Sequence, residues 1–102
     1  RRSAVAWFVK TETFTPETAA LSVEQRRPFI EAHRQWVQHE KAMGHVIFSG
    51  FLVDEQSKPG GGGLLIFASE NYNDAYNWIV NDPLIRYRLV NWKIQEWILI
   101  NH

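Results

Sequence analysis

Residues 46–68 read VIFSGFLVDEQSKPGGGGLLIFA, and this stretch decides the fold. Two apolar, β-rich runs, Val46 to Val53 and Leu64 to Ala68, flank a segment from Asp54 to Gly63 that ends in four consecutive glycines. Nothing between them has the length or period of a helix, so the runs pair as a hairpin. Its loop, read as Asp54 to Gly63, is longer than the usual roughly 2–5 residues. Upstream the period changes. From Gln25 to Met43, Ile30, His33, Val37 and Met43 fall near one helical face with Trp36 flanking, and Glu31, Arg34, Gln35, Gln38 and Lys41 fall elsewhere. Pro28 fits the first turn of this helix, and Gly44 its C-terminal stop. Downstream, Ser69 or Asn71 caps a second helix over Tyr72 to Asn81, with Ala75, Trp78 and Ile79 inward. Pro83 closes it, because the residue before a proline avoids helical geometry.

Outermost lie two more strands, Ala4 to Thr11 and Asn91 to Ile100. Thr15-Pro16-Glu17 starts a turn or short helical stretch after the first, and a connector with Arg86 and Arg88 leads into the last. The order β-α-β-β-α-β is that of a ferredoxin-like α+β fold: a four-stranded antiparallel sheet with both helices on one face. Both parities of the strands are apolar. Val46, Phe48 and Leu52 alternate with Ile47 and Phe51, and Leu64 and Ile66 alternate with Leu65 and Phe67. Trp97 to Ile100 has no polar side at all. Two helices cover one face only, and soluble monomers rarely leave so large an apolar face open. A second copy packed sheet to sheet about a two-fold axis is the simplest cover, so a homodimer through the sheet faces is expected.

The chain length, 102 residues, fits one domain spanning 1–102. A hydrophobic fraction of 45% excludes a disordered chain. Cysteine is absent, which excludes disulfides and thiolate metal sites and agrees with a reducing cytoplasm. Eleven basic residues balance eleven acidic ones, without the basic excess of a nucleic-acid binder. Arg1-Arg2 and Arg26-Arg27 read as solvated surface. No apolar run approaches the ~20 residues of a membrane span, and the N-terminus lacks a signal peptide's apolar core.

Two residues stand out for chemistry. His33 lies one turn after Ile30 and one before Val37, on the inward side of the first helix, and imidazole titrates near neutral pH. Asp82 follows Trp78 and Ile79 at the end of the second helix and can point the same way. Its Asn-Asp-Pro context also suits a turn. A carboxylate beside His33 would fix its tautomer, giving a base and its orienter. Pro59 to Gly63 offers backbone N–H groups to an anion, but no Lys-Ser/Thr follows, so it is no P-loop and reads as a hairpin tip or lid. His39, His45 and His102 lack metal-ligand spacing, so no metal site is expected. Trp36 and Trp78 read as core.

Arg27-Pro28, His33 eleven residues before Gly44, Val46-Ile47-Phe48-Ser49-Gly50, Gly61-Gly62-Gly63 opening a strand, Ala75, and Asp82-Pro83 together resemble the YciI-like (YCII-related) family over Val5 to Ile100. The resemblance implies a dimeric α/β-barrel fold and a pocket between sheet and helices built on His33 and Asp82. Ser49, Gly50, Trp36 and Arg88 are the candidate substrate contacts, and no cofactor is expected. Activities in and around the family include elimination of HCl from chlorinated hydroquinones. The wider superfamily holds lactone isomerases, small monooxygenases and haem enzymes. Phe51 departs from a frequent family proline, and Arg88 from a frequent glycine. The function so implied is general-base elimination or isomerisation of a small cyclic or phenolic compound. The alternative is a non-catalytic ligand-binding or structural dimer module.

Overall fold

The computed structural model describes residues 5–100. Arg1, Arg2, Ala4 and His102 lie outside them. Strand β1 (Ala6–Phe14) leads through a one-turn helix, α1 (Pro16–Ala19), to the long helix α2 (Val23–Ala42). Strands β2 (Ile47–Val53) and β3 (Pro59–Ser69) form the hairpin. Helix α3 (Tyr72–Ile79), a second one-turn helix, α4 (Pro83–Arg86), and strand β4 (Val90–Trp97) complete the chain. The sheet order is β2-β3-β1-β4 with antiparallel pairs throughout, which is the expected ferredoxin-like sheet.

Several boundaries differ from the sequence reading; β1 runs on to Phe14 instead of ending at Thr11, and α3 stops at Ile79, two residues short of Asn81. Helix α2 begins earlier because Ser22 and Gln25 form a capping box that satisfies its first N–H groups. Pro28 therefore sits inside the helix rather than in its first turn. The glycine run is not a loop. Pro59 to Gly63 is the first half of β3, and the turn is only residues 54–58, with Val53 opposite Pro59. Asp54 organises that turn: its Oδ1 accepts from the N–H groups of Gln56 at 2.8 Å and Lys58 at 3.0 Å. The Arg86–Arg88 connector contains α4, capped at its N-terminus by the Asp82 side chain, which accepts from Leu84 N at 3.0 Å. Strand β4 stops at Trp97, short of Ile100.

Helices α2 and α4 end in the same way. Beyond α2, His45 N donates to Glu40 O and Gly44 N to Lys41 O, with Gly44 at φ +104°. Beyond α4, Leu89 N donates to Leu84 O and Arg88 N to Ile85 O, with Arg88 at φ +58°. Both are Schellman motifs, whose left-handed position favours glycine. Gly44 meets that demand, and Arg88 meets it against the steric preference of an L-residue.

The core lies between the helices and one sheet face. Phe8, Ile47, Leu65, Phe67 and Ile94 on the strands pack against Ala75 and Ile79 of α3, with Trp36, Val37 and Trp78 partly buried against them. The other face carries Trp7 and Val9 of β1, Phe48 of β2, Leu64 and Ile66 of β3, and Trp97 of β4. Register places Phe48, Ile66 and Val9 in one row, and Trp7 opposite Trp97. Among the described residues no helix covers this face: Phe48 is 62% exposed and Trp97 47%. Among the described residues no helix is long and apolar enough to cross a membrane.

Candidate active site

The covered face also holds charge. Strand alternation that points Phe8 into the core points Lys10 and Glu12 the same way. Lys10 is almost wholly buried and binds the carboxylates of both Glu12 and Asp82, the latter at 3.0 Å on Oδ2. Asp82 is completely buried. Its Oδ1 lies 2.8 Å from His33 Nδ1 and also takes the Leu84 N–H. The N-cap role fixes the carboxylate at the start of α4, and the inward face of α2 brings His33 to it. Ser49, on the helix-facing parity of β2, places Oγ 3.4 Å from His33 Nε2. Among the described residues no buried side-chain nitrogen or oxygen lacks a partner.

Burial by itself pushes the Asp82 carboxyl up. The hydrogen bond from His33 and the Lys10 charge, helped by the His33 charge and the Lys10 hydrogen bond, outweigh it and hold Asp82 below the ordinary carboxylate value. An ionised carboxylate only accepts hydrogen bonds, so His33 Nδ1 must carry a proton. In the neutral ring Nε2 is then the free base, and it faces an open cleft of about 170 Å³ lined by His33, Arg34, Val37, Gln38 and Ser49. A larger hollow of about 270 Å³ lies elsewhere, between Phe14, Ala19, Arg26 and Gly60. Its one ionisable side chain, Arg26, donates to the carbonyls of Thr18, Ala19 and Leu21, so that hollow offers no acid–base pair. Among the described residues no group of three or more His, Asp or Glu is placed to hold a metal.

The family model of the YCII-related domain matches residues 6–98. The chain belongs to this family. A solved structure similar to this YCII-related protein is that of 5-chloro-2-hydroxyhydroquinone dehydrochlorinase (TftG) from Burkholderia phenoliruptrix AC1100, in complex with 2,5-dihydroxybenzoquinone. The two are 18% identical over 90% of this chain and 93% of that one, with a TM-score of 0.66, a likeness that bears on the fold. Among curated proteins there is no significant match.

Of the residues singled out in the sequence, the YCII-related fold brings three together: His33, Asp82 and Ser49. Gly50 sits on the opposite, uncovered parity of β2, across from Leu64. Trp36 packs against Trp78 with ring centroids 4.8 Å apart and is not among the residues lining the cleft. Arg88 is exposed on the turn after α4, also outside the cleft lining. Phe51 shares the parity of Ser49 and is 71% exposed.

Neither residue type nor motif marks Lys10 and Glu12 in the sequence. The available signal was parity: they continue the Ala6, Phe8 series, and two charges on a core-facing row need partners across the fold. Gly63 completes the arrangement. It lies opposite Glu12, and a Cβ there would sit 2.9 Å from Glu12 Oε2. Its missing side chain is the space the carboxylate occupies.

Proposed function

We propose that this protein is a small-molecule enzyme in which His33 acts as general base and Asp82 as its orienter, eliminating from or isomerising a small cyclic or phenolic compound. The carrying observation is the part-buried 2.8 Å contact between Asp82 Oδ1 and His33 Nδ1, which leaves Nε2 at the cleft. Nε2 takes a proton from a ring hydroxyl or an acidic C–H, and Asp82 holds the imidazolium that forms. On a chlorinated hydroquinone, that proton is returned to the chlorine-bearing ring carbon, making it tetrahedral; loss of the second hydroxyl proton then expels chloride and leaves the quinone, so two O–H bonds and the C–Cl bond break, one C–H bond forms, and the net loss is HCl. Ser49 Oγ marks where a substrate oxygen can sit beside Nε2. Base action of this kind contributes roughly 10²–10⁴-fold to rate. The similar dehydrochlorinase, which acts on a hydroquinone, supports the substrate class. In the same reading two copies pair through the open sheet faces, covering Trp7, Phe48, Ile66 and Trp97.

The test is chloride release from 5-chloro-2-hydroxyhydroquinone, alongside isomerisation of small lactones, by wild type, His33→Ala and Asp82→Asn. Turnover that falls at least 100-fold in folded His33→Ala supports the reading. Turnover independent of His33 overturns the general-base role, and ligand binding with no product from any ring compound replaces the enzyme reading with the binding-module alternative.

A further inference from the structure

Asp82 has two oxygens inside the protein and three donors that share them: His33 Nδ1 and the Leu84 N–H on Oδ1, and Lys10 on Oδ2. Held through Oδ1 alone, the carboxylate could still pivot about that oxygen, or take up a proton on Oδ2 and weaken its hold on the ring. Lys10 removes both options by occupying Oδ2 at 3.0 Å, which keeps Oδ1 for Nδ1 and the Leu84 N–H. A buried ammonium carries its own cost, and Glu12 answers it from two residues along the same strand.

The charges are also matched to one state of the site. Lys10, Glu12 and Asp82 sum to one negative charge beside a neutral His33, and to zero once His33 has accepted a proton. Without Glu12 the same sums would be zero and one positive, and taking a proton would build uncompensated charge in the interior. The set is therefore laid out for the imidazolium, the state that base action creates, as expected of preorganised electrostatics. The glycine opposite Glu12 serves the same end.

We propose, resting on the general-base reading above, that Lys10 and Glu12 are positioning residues of this site: Lys10 commits Asp82 Oδ1 to His33, and Glu12 holds Lys10 and supplies the compensating charge. Neither touches the cleft. Both act through Asp82.

The experiment is ¹⁵N NMR of the His33 ring in the full chain, which distinguishes the Nδ1–H from the Nε2–H tautomer and needs no substrate. The His33→Ala spectrum assigns the signals. Wild type should be chiefly Nδ1–H, and Asp82→Asn should reverse the preference. Lys10→Met should lower the ratio of Nδ1–H to Nε2–H about ten-fold, with near-ultraviolet circular dichroism unchanged. Should Lys10→Met not fold, Lys10→Met/Glu12→Gln removes both charges together and must show the same loss. Lys10→Arg, which keeps the cation, should restore at least half of the wild-type ratio. A wild-type ratio in folded Lys10→Met or Lys10→Met/Glu12→Gln overturns the proposal while leaving the dyad standing. A wild-type ratio in Asp82→Asn overturns the dyad itself.

Discussion

The two faces of the sheet invert the usual arrangement of a small domain. The face covered by helices buries a lysine, two carboxylates and most of a histidine. The face open to the surroundings carries Trp7, Phe48, Ile66 and Trp97. Burying charge costs free energy unless every partner is supplied, and exposing aromatics invites association. In the function proposed above, each face spends stability on something other than folding: the covered face on holding one histidine in a defined state, the open face on a surface for a second copy.

Asp82→Ala should damage the covered face most. It removes the acceptor for His33, Lys10 and Leu84 N at once, and a broken buried pair costs about 3–5 kcal/mol, measurable by urea unfolding. The pH dependence should follow from the depressed Asp82 carboxyl. Its contribution is fully present above the unfolded carboxylate value of about 4 and is lost as pH falls through the lower folded value. The gap between wild type and Asp82→Ala should therefore be constant from about pH 5 to 7 and narrow in acid; a gap that widened in acid would contradict the assigned direction.

Phe48→Lys attacks the open face alone. It should weaken self-association by about 2–4 kcal/mol, read by sedimentation, while monomer stability moves by about 0.5 kcal/mol or less. A wild type already monomeric at micromolar concentration would remove the dimer from the proposed function. Gly63→Ala places a methyl against the Glu12 carboxylate and should cost about 1–3 kcal/mol, since a tightly packed site resists added volume. Paired with Glu12→Gln it should cost about as much, because the clash is steric. Arg88→Gly is the mildest. It relieves a left-handed arginine at the end of α4 and should stabilise by about 0.5–1 kcal/mol, the relief being partly offset by glycine's entropy. No gain would mean that the Arg88 side chain contributes something the backbone hides.

Most of the fold was legible because it rests on period. The β-α-β-β-α-β order, the two apolar parities and the inward side of His33 all follow from spacing along the chain. Less legible were the features set by local hydrogen bonding. The capping box moved the start of α2, and one side chain, Asp82, both opened α4 and paired with His33. The site was half legible. His33 and Asp82 announce themselves by residue type, and Ser49 by its place beside Gly50 in a motif. Lys10 and Glu12 announce nothing, because a lysine and a glutamate two residues apart read as a solvated edge until parity with Phe8 is followed through. Gly50, Trp36 and Arg88 show what residue type leaves open: it does not say which side of a strand or helix a residue occupies.

The glycine half of β3 has one more consequence. Residues 60–63 have no side chains with which to recognise their neighbours, so this part of the hairpin could anneal in several offsets at little difference in energy. Two features remove that ambiguity: the Asp54 turn at one end, and at the other the close approach of the Glu12 carboxylate to Gly63. A slip of two residues in one direction would set Glu12 against Leu65, whose side chain takes the space the carboxylate needs, and in the other would set Lys10 against Gly63 and leave a hole where Leu65 belongs in the core. The glycine opposite Glu12 thereby also checks strand alignment, and errors in β3 pairing would be rejected by packing.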